Sequence, residues 1–519
     1  MMRLGIDVGG TNTDAVLLEG RQLLAWHKSP TTSDVSSGIV EAISAVLEQA
    51  NAAPADLDCV MIGTTHFTNA IVERRELLKV AVIRIALPAT SGLPPFVAWP
   101  QDMKDAVCGA TYMTQGGYQH DGRENIALDV EAIRSAALDI RNRGLTSVAV
   151  SCVFSPVNGE MERRAESILQ DILPGVRVSL SHRIGRLGIL ERENAAIMNA
   201  CLADLSTSVV RSFRGALDRL GISAPFFISQ NDGTLMKAEF VERYPVLTFA
   251  SGPTNSMRGA AYLSERSDAL VADIGGTTTD VGVLAHGFPR ESSVNVDIGG
   301  VRTNFRMPDI LALGLGGGSV VDTTGSRLRL GPKSVGFRIR QQARVFGGEV
   351  LTATDLAVAA GYADIGDRSR VANLPASLVR EGVAEMHRMV ATAVDRMKTS
   401  SKQAPLILVG GGAILIREQI PGASEVIVPP HASVANAIGA AIAQAGGEID
   451  QVFSYSALGR EGALAAATAS ATEAAVAAGA DGATVRIMDV EEIPLAYIPG
   501  GAVRIRMKAV GDLAIKLKQ

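Results

Sequence analysis

Asp7-Val8-Gly9-Gly10-Thr11-Asn12-Thr13-Asp14 is written a second time far downstream, as Asp273-Ile274-Gly275-Gly276-Thr277-Thr278-Thr279-Asp280. Each copy follows an apolar, β-like run: Met2-Arg3-Leu4-Gly5-Ile6 before the first, Ala269-Leu270-Val271-Ala272 before the second. Each leads back into apolar residues, Ala15 to Leu18 and Val281 to Leu284. The pattern is a strand, a tight Gly-Gly-Thr turn and a returning strand, which is a hairpin. Two such hairpins imply two similar halves facing one another, with a polyphosphate held between them. Adjacent glycines accept positive φ and carry no side chain, so backbone N–H groups can approach an anion closely. The threonine hydroxyls add donors. The leading aspartates, Asp7 and Asp273, suit hydrated Mg²⁺, which takes one or two carboxylates together with waters and phosphate oxygens. Neither a Walker P-loop nor a Rossmann glycine spacing occurs.

Composition narrows the field. A chain of 519 residues exceeds a single core, so two or more domains are expected. Hydrophobic content of 47% with 20% charged residues is ordinary for a globular protein. The net charge of −5, with no basic block, argues against nucleic acid as a partner. Four separated cysteines, Cys59, Cys108, Cys152 and Cys201, form neither a C-x-x-C pair nor a disulfide framework, which fits a reducing cytoplasm. The chain enters a strand at once and Asp7 interrupts the apolar run, so no signal peptide is expected. No apolar stretch is long enough to span a bilayer, so no membrane partner is expected either.

Periodicity predicts a meander over 1–28, a helix over Ser37–Glu48, a buried strand over Cys59–Thr65, a helix from His66 and a strand over Val80–Ile85. Residues 86–125 are rich in Pro, Gly and Tyr and carry no clear element. Alternating helix and strand patterns continue to Leu180, and a long helical stretch over 188–220 links the halves. The second hairpin follows, then an irregular glycine-rich region over 301–350, and then two helices. Leu406-Ile407-Leu408-Val409-Gly410-Gly411-Gly412 reads as a strand running into a glycine turn. Residues 450–519 read as an appendage with an Ala-rich helix near 461–478 and two β-like runs.

The paired hairpins resemble the phosphate 1 and phosphate 2 loops of the actin/Hsp70/sugar-kinase ATPase superfamily, and Gly410–Gly412 resembles its adenosine motif. Four further segments resemble the hydantoinase/oxoprolinase family of HyuA type: Gly63-Thr64-Thr65-His66-Phe67-Thr68-Asn69-Ala70-Ile71-Val72-Glu73-Arg74, Ser229 to Met236, Ser251-Gly252-Pro253 and Gly314 to Ser319. The resemblance covers roughly residues 3–445. It departs from the family at Thr254-Asn255-Ser256, where Ala-Ala-Gly is common, and in being shorter than typical HyuA-type subunits.

The resemblance implies an α/β fold, a duplicated actin-like (ribonuclease H-like) ATPase with two halves around a nucleotide cleft and a small C-terminal α+β appendage. The expected divisions are 1–185, 186–449 and 450–519. It implies ATP and Mg²⁺ as cofactors and an ATP-dependent hydrolase subunit that opens a cyclic amide, such as a hydantoin, 5-oxoproline or a lactam. A second protein subunit, HyuB-like or DUF917-like, is the implied partner; homo-oligomerisation is left open. A small-molecule or sugar kinase and an ATP-driven reactivase remain the alternatives on this scaffold.

The expected site follows. Asp7, Asp232 and Asp273 are the candidate catalytic carboxylates, with Asp7 and Asp273 also the candidate metal ligands. Gly9, Gly10, Thr11, Asn12, Thr13, Gly275, Gly276, Thr277, Thr278, Gly316, Gly317, Gly318, Gly410, Gly411 and Gly412 are the candidate nucleotide-binding residues. Alternate residues of a β-turn point apart, so not every threonine can face phosphate. Asp232 is equally readable as an Asx-turn with Gly233, and His66 with Asn69 as a helix start.

Overall fold

The structure, a computed structural model, describes residues 1–9, 12–30, 35–292, 295–304, 307–324, 328–496 and 501–515. Gly10 and Thr11, both expected at the phosphate, lie outside the described residues. The expected duplicated actin-like α/β fold is the observed one. Met2–Val8 pairs antiparallel with Asn12–Glu19, and Ala269–Ile274 pairs antiparallel with Thr279–Ala285. The two hairpins share their register: Asp7 faces Asp14, and Asp273 faces Asp280. Their turns close alike, Gly9 N–H donating to the Asn12 carbonyl at 3.0 Å and Gly275 N–H to the Thr278 carbonyl at 2.8 Å. Each hairpin then takes a parallel neighbour, Cys59–Thr64 in the first half and Ala404–Val409 in the second.

Two helices lie between these sheets, Ser251–Ser264 and Ala435–Ile442. Glycine sets how closely they cross. A Cβ on Gly259 would strike the Ala435 carbonyl, and one on Gly439 would strike the carbonyl of Asn255. The second helix also lies tight on the first strand, since a Cβ on Gly5 would meet the Ala437 carbonyl. Its Ala437, Ile438 and Ala441 pack on Val16 and Leu18 of the first hairpin, while Ala435 packs with Val271 and Ile407 of the second sheet. One short helix therefore belongs to both cores.

A third sheet of four parallel strands, in the order Arg177–Leu180, Ser147–Cys152, Val80–Leu87 and Cys108–Gln115, has its own core. Cys108–Gln115 falls in the region that carried no clear element, because Gly109, Thr111 and Thr114 break its apolar run. The long helical stretch is two helices, Ile189–Cys201 and Ala203–Arg219. The first seats the third sheet through a buried ion pair, Glu193 with Arg84, with Ser151 Oγ donating to the same carboxylate at 2.7 Å.

The second half also reaches across to the first. The hairpin Val296–Ile298 and Val301–Thr303 places Ile298 and Val301 in the first half's core. Burying each such side chain contributes about 1.5–3 kcal/mol. Arg74 donates to the Gly299 carbonyl and Asn194 to the Arg302 carbonyl, fixing the hairpin there.

The residues expected as an appendage extend the first sheet. Its nine strands run in the order Arg486–Pro494, Ala502–Gly511, Ala445–Ser454, Leu235–Lys237, Phe226–Ser229, Cys59–Thr64, Met2–Val8, Asn12–Glu19 and Gln22–Pro30. Helix Tyr455–Ala478 lies on this extension through Ala463, Ala467, Ala471 and Ala475, one every helical turn and all fully buried. No described helix is long and apolar enough to cross a membrane.

The crossing yields a test. Gly259→Ala should lower stability by about 1–3 kcal/mol, the usual cost of overpacking. Gly215→Ala, in a helix where a Cβ meets nothing within 4 Å, should be neutral or stabilising by up to about 1 kcal/mol. Thermal denaturation of the two variants checks this; equal melting temperatures would contradict the steric account.

Candidate functional site

The hairpin turns face one cavity of about 990 Å³ between the halves. Of the expected residues, Asp7, Gly9, Asn12, Asp273, Gly275, Gly276, Thr277, Thr278, Gly317, Gly410, Gly411 and Gly412 line it. Segments more than 260 residues apart in the chain are thus brought to one space by the duplicated strand ends.

Four expected residues are placed elsewhere. Thr13 is buried at its strand position, away from the cavity. Gly316 and Gly318 stand behind the second turn. A Cβ on Gly316 would lie 2.6 Å from the Thr277 nitrogen, and Gly318 N–H donates to the Gly276 carbonyl at 2.7 Å. Gly317 N–H likewise donates to the Gly275 carbonyl at 3.0 Å. The glycine run therefore supports the phosphate turn with the amides that were expected to face phosphate. Thr279 completes the buttress by donating to the Leu315 carbonyl at 2.6 Å. The fourth residue is Asp232, which the structure does not bring to this cavity. It pairs with Lys508 at 2.9 Å, from the C-terminal strand, and caps its own turn by accepting from Thr234. Burial works to raise its carboxyl, but Lys508 and the Thr234 hydrogen bonds outweigh that and hold it below the usual carboxylate range.

Three acids line the cavity, Asp7, Asp14 and Asp273, and Asp280 stands opposite Asp273 on the second hairpin. Burial, and next the charge of Asp14, push the Asp7 carboxyl up to about 7, against a hydrogen bond from Asn436 at 2.8 Å. Burial raises Asp14 too, with Lys28 opposing at 2.6 Å. Asp273 is raised by burial against a hydrogen bond with Ser256. Asp280 is pushed up to about 7 by burial and by the charge of Asp273. Asp7 Oδ1 is buried and without a hydrogen-bond partner. Such an oxygen suits a cation. Among the described residues no three or more His, Cys, Asp or Glu side chains converge as a metal cage. That donor set fits Mg²⁺, which keeps waters and phosphate oxygens as its other ligands, and does not fit structural zinc.

Away from the turns the wall becomes apolar, with Phe337, Ile339, Phe346, Ile365 and Ile414 beyond Gly410–Gly412. Lys28, Trp26 and Asn436 line the cavity as well. Sequence analysis did not single them out. Lys28 is opposite Asp14 on the third strand, but a bulge between Leu17 and Leu18 shifts the register, so counting back from the Gly20 turn does not pair them. Another sequence candidate serves the scaffold. His66 shares a 2.5 Å hydrogen bond with the Thr64 hydroxyl and burial lowers its proton affinity.

Two outcomes test this geometry. A carboxyl whose proton is held more tightly in the folded state favours folding at low pH. Its share of stability is lost as pH rises from the ordinary range near 4 to about 7. Asp280→Asn should therefore raise the melting temperature at pH 8, by at most about 4 kcal/mol in stability, and change little near pH 4. A lower melting temperature at pH 8 would refute the desolvation account. Gly410 has φ +85° and a Cβ there would strike Asp273, whereas a Cβ on Gly411 meets nothing within 4 Å. Gly410→Ala should cost about 1–3 kcal/mol and Gly411→Ala should fold like the wild type, as read by urea denaturation.

Comparison with known proteins places this geometry. The chain spans about half the length of the curated relatives it matches. It is 27% identical over 386 residues to caprolactamase subunit alpha of Pseudomonas jessenii, covering 69% of this chain and 54% of that one. It is 27% identical over 407 residues to the acetophenone carboxylase gamma subunit of Aromatoleum aromaticum, covering 69% and 53%. The crystal structure of ATP-dependent caprolactamase from Pseudomonas jessenii superposes with a TM-score of 0.77 at 20% identity, over 98% of this chain and 87% of that one, a likeness of fold. Residues 3–173 match the hydantoinase/oxoprolinase N-terminal region and residues 192–367 match hydantoinase/oxoprolinase. With its paired hairpins and the matches covering most of its length, the chain belongs to the hydantoinase/oxoprolinase family.

Proposed function

We propose that this chain is the ATP-using subunit of an enzyme that opens a cyclic amide through a phosphorylated carbonyl. The observation that carries the proposal is that two closely similar hairpin turns line one cavity, with Asp7 and Asp273 both lining it. A ring amide is a poor electrophile because resonance delocalises its nitrogen lone pair. Attack of the carbonyl oxygen on the terminal phosphorus of ATP breaks the bond to the bridging oxygen and releases ADP. Water then adds to the ring carbon and the C–N bond breaks, its electron pair and a proton going to nitrogen, to leave an acyl phosphate; a second water hydrolyses this to the ring-opened acid and free phosphate.

The chain's own contribution is alignment and charge, which dominate phosphoryl transfer. The amides and hydroxyls of Asn12, Gly276, Thr277 and Thr278 would grip the phosphates, with Gly9 and Gly275 closing the turns behind them. Gly410–Gly412 and the apolar wall of Phe337, Phe346 and Ile414 would take the nucleoside. Asp7 and Asp273 would hold Mg²⁺ through its water shell; when bound, that ion neutralises phosphate charge. Two features support a partner subunit, HyuB-like or DUF917-like: relatives are named as subunits, and the chain covers about half their length.

A second reading has its own support, the acetophenone carboxylase relative. There the activated carbonyl would be a ketone, and the product a carboxylated acid.

The test is phosphate release from Mg-ATP by the chain with and without its partner, across lactams, hydantoins, 5-oxoproline, sugars, and ketones with bicarbonate. Release stimulated by one cyclic amide, with a ring-opened acid formed, is the expected result. Stimulation only by a ketone with bicarbonate would move the assignment to the carboxylase class. A stable phosphorylated sugar would make it a kinase. Asp7→Ala and Asp273→Ala should each lower turnover by about a hundredfold or more. Wild-type turnover in either would remove the symmetric clamp.

A further inference from the structure

The two hairpins are duplicates in register, turn and acids, yet their third strands differ. In the first half Gln22–Pro30 sets Lys28 directly opposite Asp14. In the second half Ile310–Leu313 sets Ala312 opposite Asp280. The duplicated acid thus has a cation on one side and a methyl group on the other. Lys28 Nζ donates to Asp14 Oδ2 at 2.6 Å, with the lysine side chain 28% exposed and Asp14 3% exposed. Both residues line the cavity. The other Lys or Arg among the described lining residues is Arg340, which stands beside Ile339 on the apolar side.

The acid is sealed while the lysine side chain is partly exposed and lines the cavity, within the field of Asp7 as well. A lysine has three donors and a flexible stem, so it can contact a second anion while still touching the first. Among the described residues of the two hairpins, this lysine is the cation that one second acid has opposite it and the other lacks.

We propose that Lys28 is a catalytic residue that contacts the terminal phosphate of the bound nucleoside triphosphate and makes the site discriminate triphosphate from diphosphate. The assignment rests on the ATP reading above. During transfer the bond from the terminal phosphorus to the bridging oxygen breaks, its electron pair leaves with ADP, and the acceptor oxygen bonds to phosphorus. Lys28 keeps its proton throughout and neutralises charge on the non-bridging oxygens. Asp14 holds the ammonium at the mouth before the nucleotide arrives.

The experiment is equilibrium binding of Mg-ATP and Mg-ADP to the full chain, wild type and variants, alongside phosphate release. Lys28→Met should weaken Mg-ATP by about tenfold or more while leaving Mg-ADP within about twofold. Lys28→Arg should keep part of the discrimination, and so should Asp14→Asn, whose amide oxygen can still accept from the ammonium. Lys28→Met leaves Asp14 without its counter-ion. The Asp14→Asn/Lys28→Met double variant removes that charge and should fold yet fail to discriminate, which keeps the test decisive if the single variant does not fold. If wild type prefers ATP and the double variant keeps that preference, the Lys28 assignment falls and the ATP reading stands. If wild type binds neither nucleotide, the ATP reading falls and takes Lys28 with it.

Discussion

The close crossing of two helices at Gly259 and Gly439 is the contact on which the rest of the molecule depends. With any side chain there, the backbones would part and so would the strand ends they carry. The crossing also exchanges partners between the halves. Asn436, on the helix that follows the second half's strands, donates to Asp7 of the first. Ser256, on the helix that follows the first half's strands, bonds to Asp273 of the second. Each acid is oriented by the opposite half, so the two phosphate turns are set relative to one another by hydrogen bonds and not by the sheets alone.

That arrangement has an electrostatic consequence. Desolvation at the two hairpins raises the proton affinity of Asp7, Asp14, Asp273 and Asp280, because a charged carboxylate is poorly solvated there. Hydrogen bonds from Asn436 and Ser256 and the ammonium of Lys28 relieve it only in part. A cation and a row of phosphate oxygens ordered by backbone amides would complete the balance. Perturbed acids of this kind gather where chemistry is done, and the proposed phosphoryl transfer uses them for charge placement.

The C-terminal residues reinforce the same body. Lys508 ties the last strand to Asp232 at the end of the first sheet, and Asp450 takes Arg504, Arg506 and Arg186 together. Asp232 is therefore a structural anchor for the extension. From sequence it read as a cleft carboxylate at a predicted strand end or as an Asx-turn with Gly233, and a local pattern cannot show which distant residue will neutralise it.

The same limit separates what was legible from what was not. The hairpins, their leading acids and the glycine strand end at 410–412 could be read directly, since turn chemistry and β-alternation act over a few residues and leave a local signature. The duplication could be read because identical turns were written twice. The direction in which Gly317 and Gly318 point their amides, the pairing of Lys28 with Asp14 past a bulge, and the joining of 445–511 to the first sheet could not. Each depends on a contact between segments far apart in the chain, whose geometry is settled only when the helices cross and the sheets close. The sequence by itself determined two glycine-turn hairpins, each led by an aspartate, on an actin-like scaffold. The tertiary structure alone decided which of their residues face the cavity, because facing is a property of packing and register, and neither is written in a single strand.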